Sequence, residues 1–273
     1  MSLALPLPPT PARRRASAPA AGAALLLALV LFAAFAPLLA GVDPARQNYA
    51  AILAPPGAGH PLGTDHLGRD MLARLGSALR LSLGLALLAT LTAAVPGTLL
   101  GILAAWRGGW TDRLLGTLAD IVLSLPGLLL VLLVSAVFPG SFAAIYGAIA
   151  LVLWIEYFRM TRAVSRSLLA SPAVEASRLL GFGPAYVIRH HLWPELAPLL
   201  LTVAAFGAAT AVMAVAALGF VSVGLRPPTA ELGLMTTELL PYYAEDPFVL
   251  LQPVLAVFLL VLALNLLAGS RRP

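Results

Sequence analysis

The chain contains neither cysteine nor lysine. Without thiols it can form no disulfide, thiolate nucleophile or Cys-ligated zinc or iron–sulfur site. Without lysine it has no phosphate-cradling P-loop and no Schiff-base chemistry, so in any ATP-driven work the nucleotide belongs to another chain. Charge of either sign is scarce: 11% of residues are Asp, Glu, Lys or Arg, against about a quarter in a soluble domain. What is abundant is apolar surface, with 60% hydrophobic residues among 273 and a mean hydropathy of +0.93. Six membrane helices of about 20 residues each would occupy about 120 residues, leaving no room for a large water-soluble catalytic domain. The formal net charge of +5 rests on 17 arginines, which in such a chain read first as topology signals rather than as a nucleic-acid surface.

Residues 1–20, rich in Pro and Ala with Arg13, Arg14 and Arg15 together, read as a disordered cytoplasmic tail. Apolar runs follow at 21–40, 81–106, 114–137, 142–155, 199–220 and 248–267. The first is longer than a cleaved signal's apolar region. The fourth, 14 residues, is short for a span unless Tyr157 and Phe158 lie in the interface. Counting it gives an all-α membrane protein with six transmembrane helices. With the amino terminus inside, twelve arginines face the cytoplasm and five face outward, which places both termini, including 269–273, inside.

Three connections have structure of their own. In the extracytoplasmic segment 41–80, Leu67, Met71, Leu72, Leu75 and Leu79 recur at helical spacing among polar residues and predict an interfacial helix. Thr64 or Asp65 would cap that helix and Asp70 would pair with Arg74. Between Ser222 and Pro247, Pro227 and Pro228 block regular helix and predict a folded outer loop. The loop 156–198 carries five arginines and two adjacent histidines. In it Ser171-Pro172 reads as an N-cap and first helical position, with Glu175 in the first turn where the helix dipole favours a carboxylate. Gly181 and Gly183 end that helix, Pro184 opens the next, and the chain re-enters the membrane after Trp193 and Pro194. Exposed at a membrane face, such a unit is a handle for a partner.

At this loop the sequence resembles the inner-membrane subunits of binding-protein-dependent ABC importers. Their signature of Glu-Ala-Ala, three residues, Gly, and a Pro thirteen residues after that Gly is matched by Glu175, Ala176, Ser177, Gly181 and Pro194, with Ser177 in place of the second Ala. The stretches His60-Pro-Leu-Gly-Thr-Asp65, Gly68-Arg-Asp70, Asp120-Ile-Val-Leu-Ser-Leu-Pro126, Gly224-Leu-Arg-Pro-Pro-Thr229 and Asn265-Leu-Leu267 resemble the C-subunit permeases of the dipeptide, oligopeptide and nickel branch. Two departures stand out: the chain ends at Pro273 where the family usually continues into a polar tail, and Trp193 stands where Leu is usual.

The resemblance implies a type I importer permease (MetI-like) core of five helices over 81–268, plus one amino-terminal helix. It implies a homologous second permease subunit, two cytoplasmic ATPases carrying ATP and Mg, and an extracytoplasmic substrate-binding protein, all in a bacterial inner membrane. It implies no cofactor and no catalytic or metal site on this chain. The docking element would be residues 172–194, with Glu175, Ala176, Ser177, Gly181 and Pro194 as partner-binding positions. Selectivity would lie largely with the binding protein, leaving the cargo open among peptide, nickel chelate and other small solutes.

Other residues admit plainer roles. Asp120, within the third span, either lines the substrate pathway or is satisfied by Arg113 or water. His60, Asp65, His66 and Asp70 could gather a divalent cation but read more simply as orienting the interfacial helix. His190 and His191 point about 100° apart on a helix, poor geometry for one metal. Pro96 and Pro126 would kink their spans, and Gly97 with Gly101 would form a face for close helix packing. Two rival functions are weighed. An intramembrane enzyme would need paired catalytic groups at mid-membrane depth, and none is evident; a stand-alone secondary carrier would need an internal repeat, and none is evident.

Overall fold

In a computed structural model of the chain, residues 17–269 are described. Arg13–Arg15 and Arg271–Arg272, on which part of the topology argument rests, lie outside them. The first apolar run is helix α1 (Ser17–Ala40), already helical at Ser17. Pro37 inside it has no N–H to give the carbonyl one turn back. The freed Ala33 oxygen, and that of Ala34, accept instead from the Arg80 guanidinium.

Helix α2 (Met71–Arg107) is one uninterrupted element of 37 residues, about 55 Å long at 1.5 Å per residue. Here the structure departs from the sequence reading. The expected interfacial helix is the first part of α2, not a separate piece, and Met71, Leu75 and Leu79 are buried in the protein core. Its cap is Asp70, whose carboxylate accepts from Ala73 N at 2.8 Å. Thr64 instead accepts from Ala54 N at 2.8 Å within the preceding loop. Asp65 folds a turn by accepting from the backbone N–H groups of Leu67 and Arg69. Nothing between Met71 and Pro96 breaks helix strongly, and α2 stays continuous through Pro96 itself.

The third apolar run is broken into α3 (Gly109–Leu123) and α4 (Gly127–Val137), which meet at 72° across Ser124, Leu125 and Pro126. The fourth becomes α5 (Phe142–Leu169), 28 residues long. Hydropathy cuts it short at Ile155 because Arg159, Arg162 and Arg166 follow, but these face acids on α3: Arg159 meets Asp120, while Arg162 and Arg166 both meet Asp112. Tyr157 and Phe158, assigned to an interface, are fully buried. The α2–α5 contact depends on glycine. A Cβ at Gly97 would sit 2.5 Å from the Trp154 oxygen, and one at Gly101 would sit 2.8 Å from the Phe158 oxygen, so the two backbones touch as the small-residue face requires.

Short helices α6 (Pro172–Leu179) and α7 (Pro184–Val187) lead through a π-turn at Ile188–Leu192 into α8 (Trp193–Phe220). The outer loop then contains a helix the sequence reading did not foresee, α9 (Leu232–Leu239), before α10 (Pro247–Ala268) closes the chain. Glu231 caps α9 by accepting from Gly233 N at 2.9 Å and Leu234 N at 2.7 Å. A Cβ at Gly233 would overlap the Ala216 carbonyl, so α9 lies directly on α8. The main core is built from α2, α5, α8, α9 and α10, with α1 laid along α2 and α10. Helices α1, α2, α5, α10 and the continuous run Pro184–Phe220 are each long and apolar enough to cross a membrane, and the α3–α4 pair, counted as one bent span, would make six.

Candidate functional site

The loop between α5 and α8 projects from the Arg107 end of α2. Ser171 is extended (φ −78°, ψ 147°), and its carbonyl accepts from Val174 N and Glu175 N at 3.1 Å each, starting α6 behind Pro172. Gly181 stops it with φ +83°, a left-handed conformation that costs an L-residue about 1–2 kcal/mol. The chain turns there through Gly181 N to Arg178 O (3.0 Å) and Phe182 N to Ser177 O (3.1 Å).

The seat of this loop is apolar: Val174, Val187, Leu192 and Leu196 are fully buried against Ile102 and Trp106 of α2 and Val164 and Leu168 of α5. Two polar ties hold it as well. Ser177 Oγ lies 2.8 Å from His191 Nε2, joining α6 to the π-turn. The Arg178 guanidinium lies over the Trp106 ring at 5.1 Å, a cation–π contact. Ser177, read from sequence as a small-for-small replacement, therefore supplies a contact that alanine cannot make. Phe182, Tyr186 and His190 stack in series at 4.1 Å centroid spacings. His191 meets Tyr186 edge-on at 6.2 Å, so the two histidines share that ring while only His191 bonds Ser177.

The five signature positions fall on both sides of this seat. Glu175, Ala176, Gly181 and Pro194 are exposed, and Ser177 is turned inward. Leu179 and Leu180 stand out at 83% and 76% exposure, far more apolar surface than a helix end shows unless something covers it.

At the opposite end of α2, His60 Nδ1 lies 2.8 Å from Asp70 Oδ2. Asp65, Arg69, Arg74 and Glu238 form a buried ion-pair network: Arg69 and Arg74 reach Glu238 of α9 at 2.9 and 2.7 Å, and both also face Asp65. Arg74 therefore pairs with Asp65 and Glu238, not with Asp70 as the sequence spacing suggested. His66 stacks on Tyr242 at 5.3 Å. Burial lowers its pKa, outweighing the pull of Asp65 and Glu238. Burial raises the pKa of Glu231 despite its backbone hydrogen bonds.

Asp120 is exposed on α3 and pairs with Arg159, not Arg113. Glu156, which the sequence reading left in a loop, lies at mid-length of α5 and lines a groove of about 430 Å³ between α4, α5 and α8. The signal that could have found it is the i, i+3 and i, i+6 spacing of Arg159 and Arg162 behind it, which continues the helix once those charges are matched with acids on α3.

This arrangement of continuous spans, one broken span and a tethered helix–glycine–helix loop defines a helical membrane transport subunit. The chain belongs to the family described as binding-protein-dependent transport system inner membrane component, whose model matches residues 97–270. Residues 14–56 match the N-terminal TM domain of oligopeptide transport permease C. The chain is 37% identical over 254 residues to the di/tripeptide transport system permease protein DppC of Pseudomonas aeruginosa, covering 90% of this chain and 84% of that one. It is 35% identical over 230 residues to the nickel transport system permease protein NikC of Escherichia coli K12, covering 84% and 83%. In fold it is similar to a chain of the inward-facing MetNI methionine ABC transporter, with TM-score 0.54 at 21% identity over 74% of this chain and 98% of that one. It is accordingly a C-type permease subunit of the peptide and nickel branch of ABC importers, multi-pass and non-catalytic, with the ATPase on a separate chain. The intramembrane enzyme and the stand-alone carrier are excluded by the same membership.

Proposed function

We propose that this subunit forms half of a pathway for peptides or similarly small solutes and is driven through residues 172–194. Two cytoplasmic ATPases, binding ATP and Mg, grip that loop from below. A homologous second permease completes the pathway, and a binding protein delivers cargo at the Asp70 end of α2 from outside the inner membrane. The observation that carries the reading is the exposure of Leu179 and Leu180 beside Gly181, on a loop otherwise fixed to α2 and α5. A rigid knob with an uncovered apolar tip can transmit force from a partner into the spans. Cargo of the peptide class is supported by the relatives named for dipeptide and di/tripeptide transport. Both termini then lie in the cytoplasm.

Absence of cysteine makes the test clean. In intact cells a Leu180→Cys variant should resist a membrane-impermeant maleimide and react once the membrane is opened. With the ATPase present, that reaction should slow at least about fivefold, as a buried contact requires. Labelling from outside intact cells would refute the orientation, and unchanged reactivity in the assembled importer would refute the docking.

A further inference from the structure

The third span is broken where a membrane protein can least tolerate it. Ser124, Leu125 and Pro126 are all exposed in this chain, and the N–H groups opening α4 receive no side-chain cap. Non-helical backbone at membrane depth persists only where protein covers it or water reaches it. The groove begins at this break: Leu123 and Gly127 form its end, α5 one wall and α8 the other. Gly127 is pinned there, since a Cβ on it would lie 2.8 Å from Val152 Cγ1 on α5.

One turn beyond Val152 the same wall carries Glu156. It lies 14 residues into α5, about 21 Å from that helix's start, and is exposed to the groove. Among the described residues it has no ion-pair or hydrogen-bond partner. The nearby charges are taken: Arg159 by Asp120, and Arg162 and Arg166 by Asp112. Asp120 is thereby neutralised as a pair, which removes the reason for favouring it as the pathway residue. The other polar side chain of the groove, Thr210, donates to Phe206 O within its own helix. A lone carboxylate at this depth is too costly to face lipid, and water with a cation is what would satisfy it.

Resting on the peptide reading above, we propose that this groove is a water-filled stretch of the translocation pathway. In it, Glu156 meets the cationic group of the passing cargo, the free ammonium of a peptide. Charge complementarity selects this occupant: apart from Thr210, whose hydroxyl is bonded within its own helix, the lining is apolar but for the one carboxyl group, which as a carboxylate attracts cations and repels a second carboxylate.

The test uses the complete importer in proteoliposomes, with a Thr210→Cys thiol as reporter. Cationic 2-aminoethyl methanethiosulfonate should modify that thiol about fivefold faster than the anionic 2-sulfonatoethyl reagent, after correction for their rates with a free thiol. Adding Glu156→Gln should bring that ratio to about one. In uptake assays Glu156→Gln should lower free-amine dipeptide transport about tenfold, while Glu156→Asp keeps most of it. ATPase stimulation by the loaded binding protein should persist in both variants.

A thiol that neither reagent reaches would mean a dry interface and would overturn the proposal. So would an unchanged ratio, or full uptake by Glu156→Gln. Loss of the second permease from the Glu156→Gln complex would assign Glu156 to the subunit interface and overturn it equally. If the unmodified importer moves no peptide, the cargo reading fails by itself, and the labelling ratio still decides whether the groove is a cation-attracting water path.

Discussion

Replacing Gly181 separates what the loop 172–194 needs for itself from what it needs for the proposed partner. The residue has φ +83°, and no heavy atom lies within 4 Å of where a Cβ on it would stand. Gly181→Ala and Gly181→Trp therefore impose the same backbone strain, about 1–2 kcal/mol, and the Cβ of either meets nothing inside this chain. The isolated subunit should lose the same few degrees of melting temperature in both variants. In the assembled importer the two should diverge. An indole forced into a packed contact costs about 1–3 kcal/mol, a weakening of docking by about 5- to 150-fold. Gly181→Ala should thus retain substantial uptake and co-purify with its ATPase. Gly181→Trp should insert normally, lose uptake and release the ATPase. Equal transport by the two variants would refute the placement of a partner at Gly181. A melting temperature far lower for Trp than for Ala would refute the claim that the space there is open.

Three other perturbations follow from the structure. Glu238→Ala leaves Arg69 and Arg74, each 1% exposed, with Asp65 alone to share, so that one buried positive charge is uncompensated, a loss of about 3–5 kcal/mol. Limited proteolysis should then cut between residues 41 and 70 much faster, and unchanged protection would show that the network does not hold that segment. His66 has a folded pKa below its unfolded value of 6.5, so the unfolded segment binds more protons and stability falls as pH drops below 6.5. Hydrogen-exchange protection factors in this segment, corrected for the intrinsic amide rate at each pH, should fall between pH 7.5 and 5, and His66→Phe, which keeps the stack on Tyr242, should flatten that response. Glu231 acts with opposite sign: its raised pKa favours the folded segment at low pH, and that contribution is lost as pH rises through the raised value. Gly97→Leu drives a side chain into the Trp154 carbonyl, 2.5 Å from the Cβ position, and should cost at least about 1–3 kcal/mol, read as a lower melting temperature in detergent.

The loop 172–194 was legible because its signals are local. Ser171-Pro172 starts a helix, Gly181 stops it and Gly183-Pro184 starts another, and each works through the backbone of its immediate neighbours. The close packing of α2 on α5 could be read from Gly97 and Gly101 for the same reason, since a missing Cβ is a fact of one position. What escaped was pairing across the chain. Hydropathy ended the fourth span at Ile155 because Arg159, Arg162 and Arg166 count as polar, yet Asp112 and Asp120 on α3 match them and the helix runs on to Leu169. Spacing suggested an Asp70–Arg74 pair, but Glu238, 164 residues from Arg74, competes for that guanidinium from α9. A helix as short as α9 has too few turns to display a period, and its place is fixed by the close approach of Gly233 to α8.

The same packing bears on how a push at the loop would reach the groove. The α6 seat rests on Ile102 and Trp106 near the end of α2 and on Val164 and Leu168 of α5, and Gly97 and Gly101 fuse those two helices into one body. The loop leaves that body only through the π-turn Ile188–Leu192, which continues into α8. A π-turn carries a different hydrogen-bond pattern from the helix around it and is frequent at functional sites. The wall bearing Glu156 thus belongs to the α2–α5 pair, while the wall bearing Thr210 belongs to α8, and the loop lies at their junction. Leu192 and Leu196 carry the same seat into the π-turn and α8, so a load on α6 is passed to α8 as well as to α2 and α5. The Ser177–His191 hydrogen bond spans that junction. It is therefore the tie through which α6 constrains the π-turn directly, while the apolar seat holds α6 to α2 and α5.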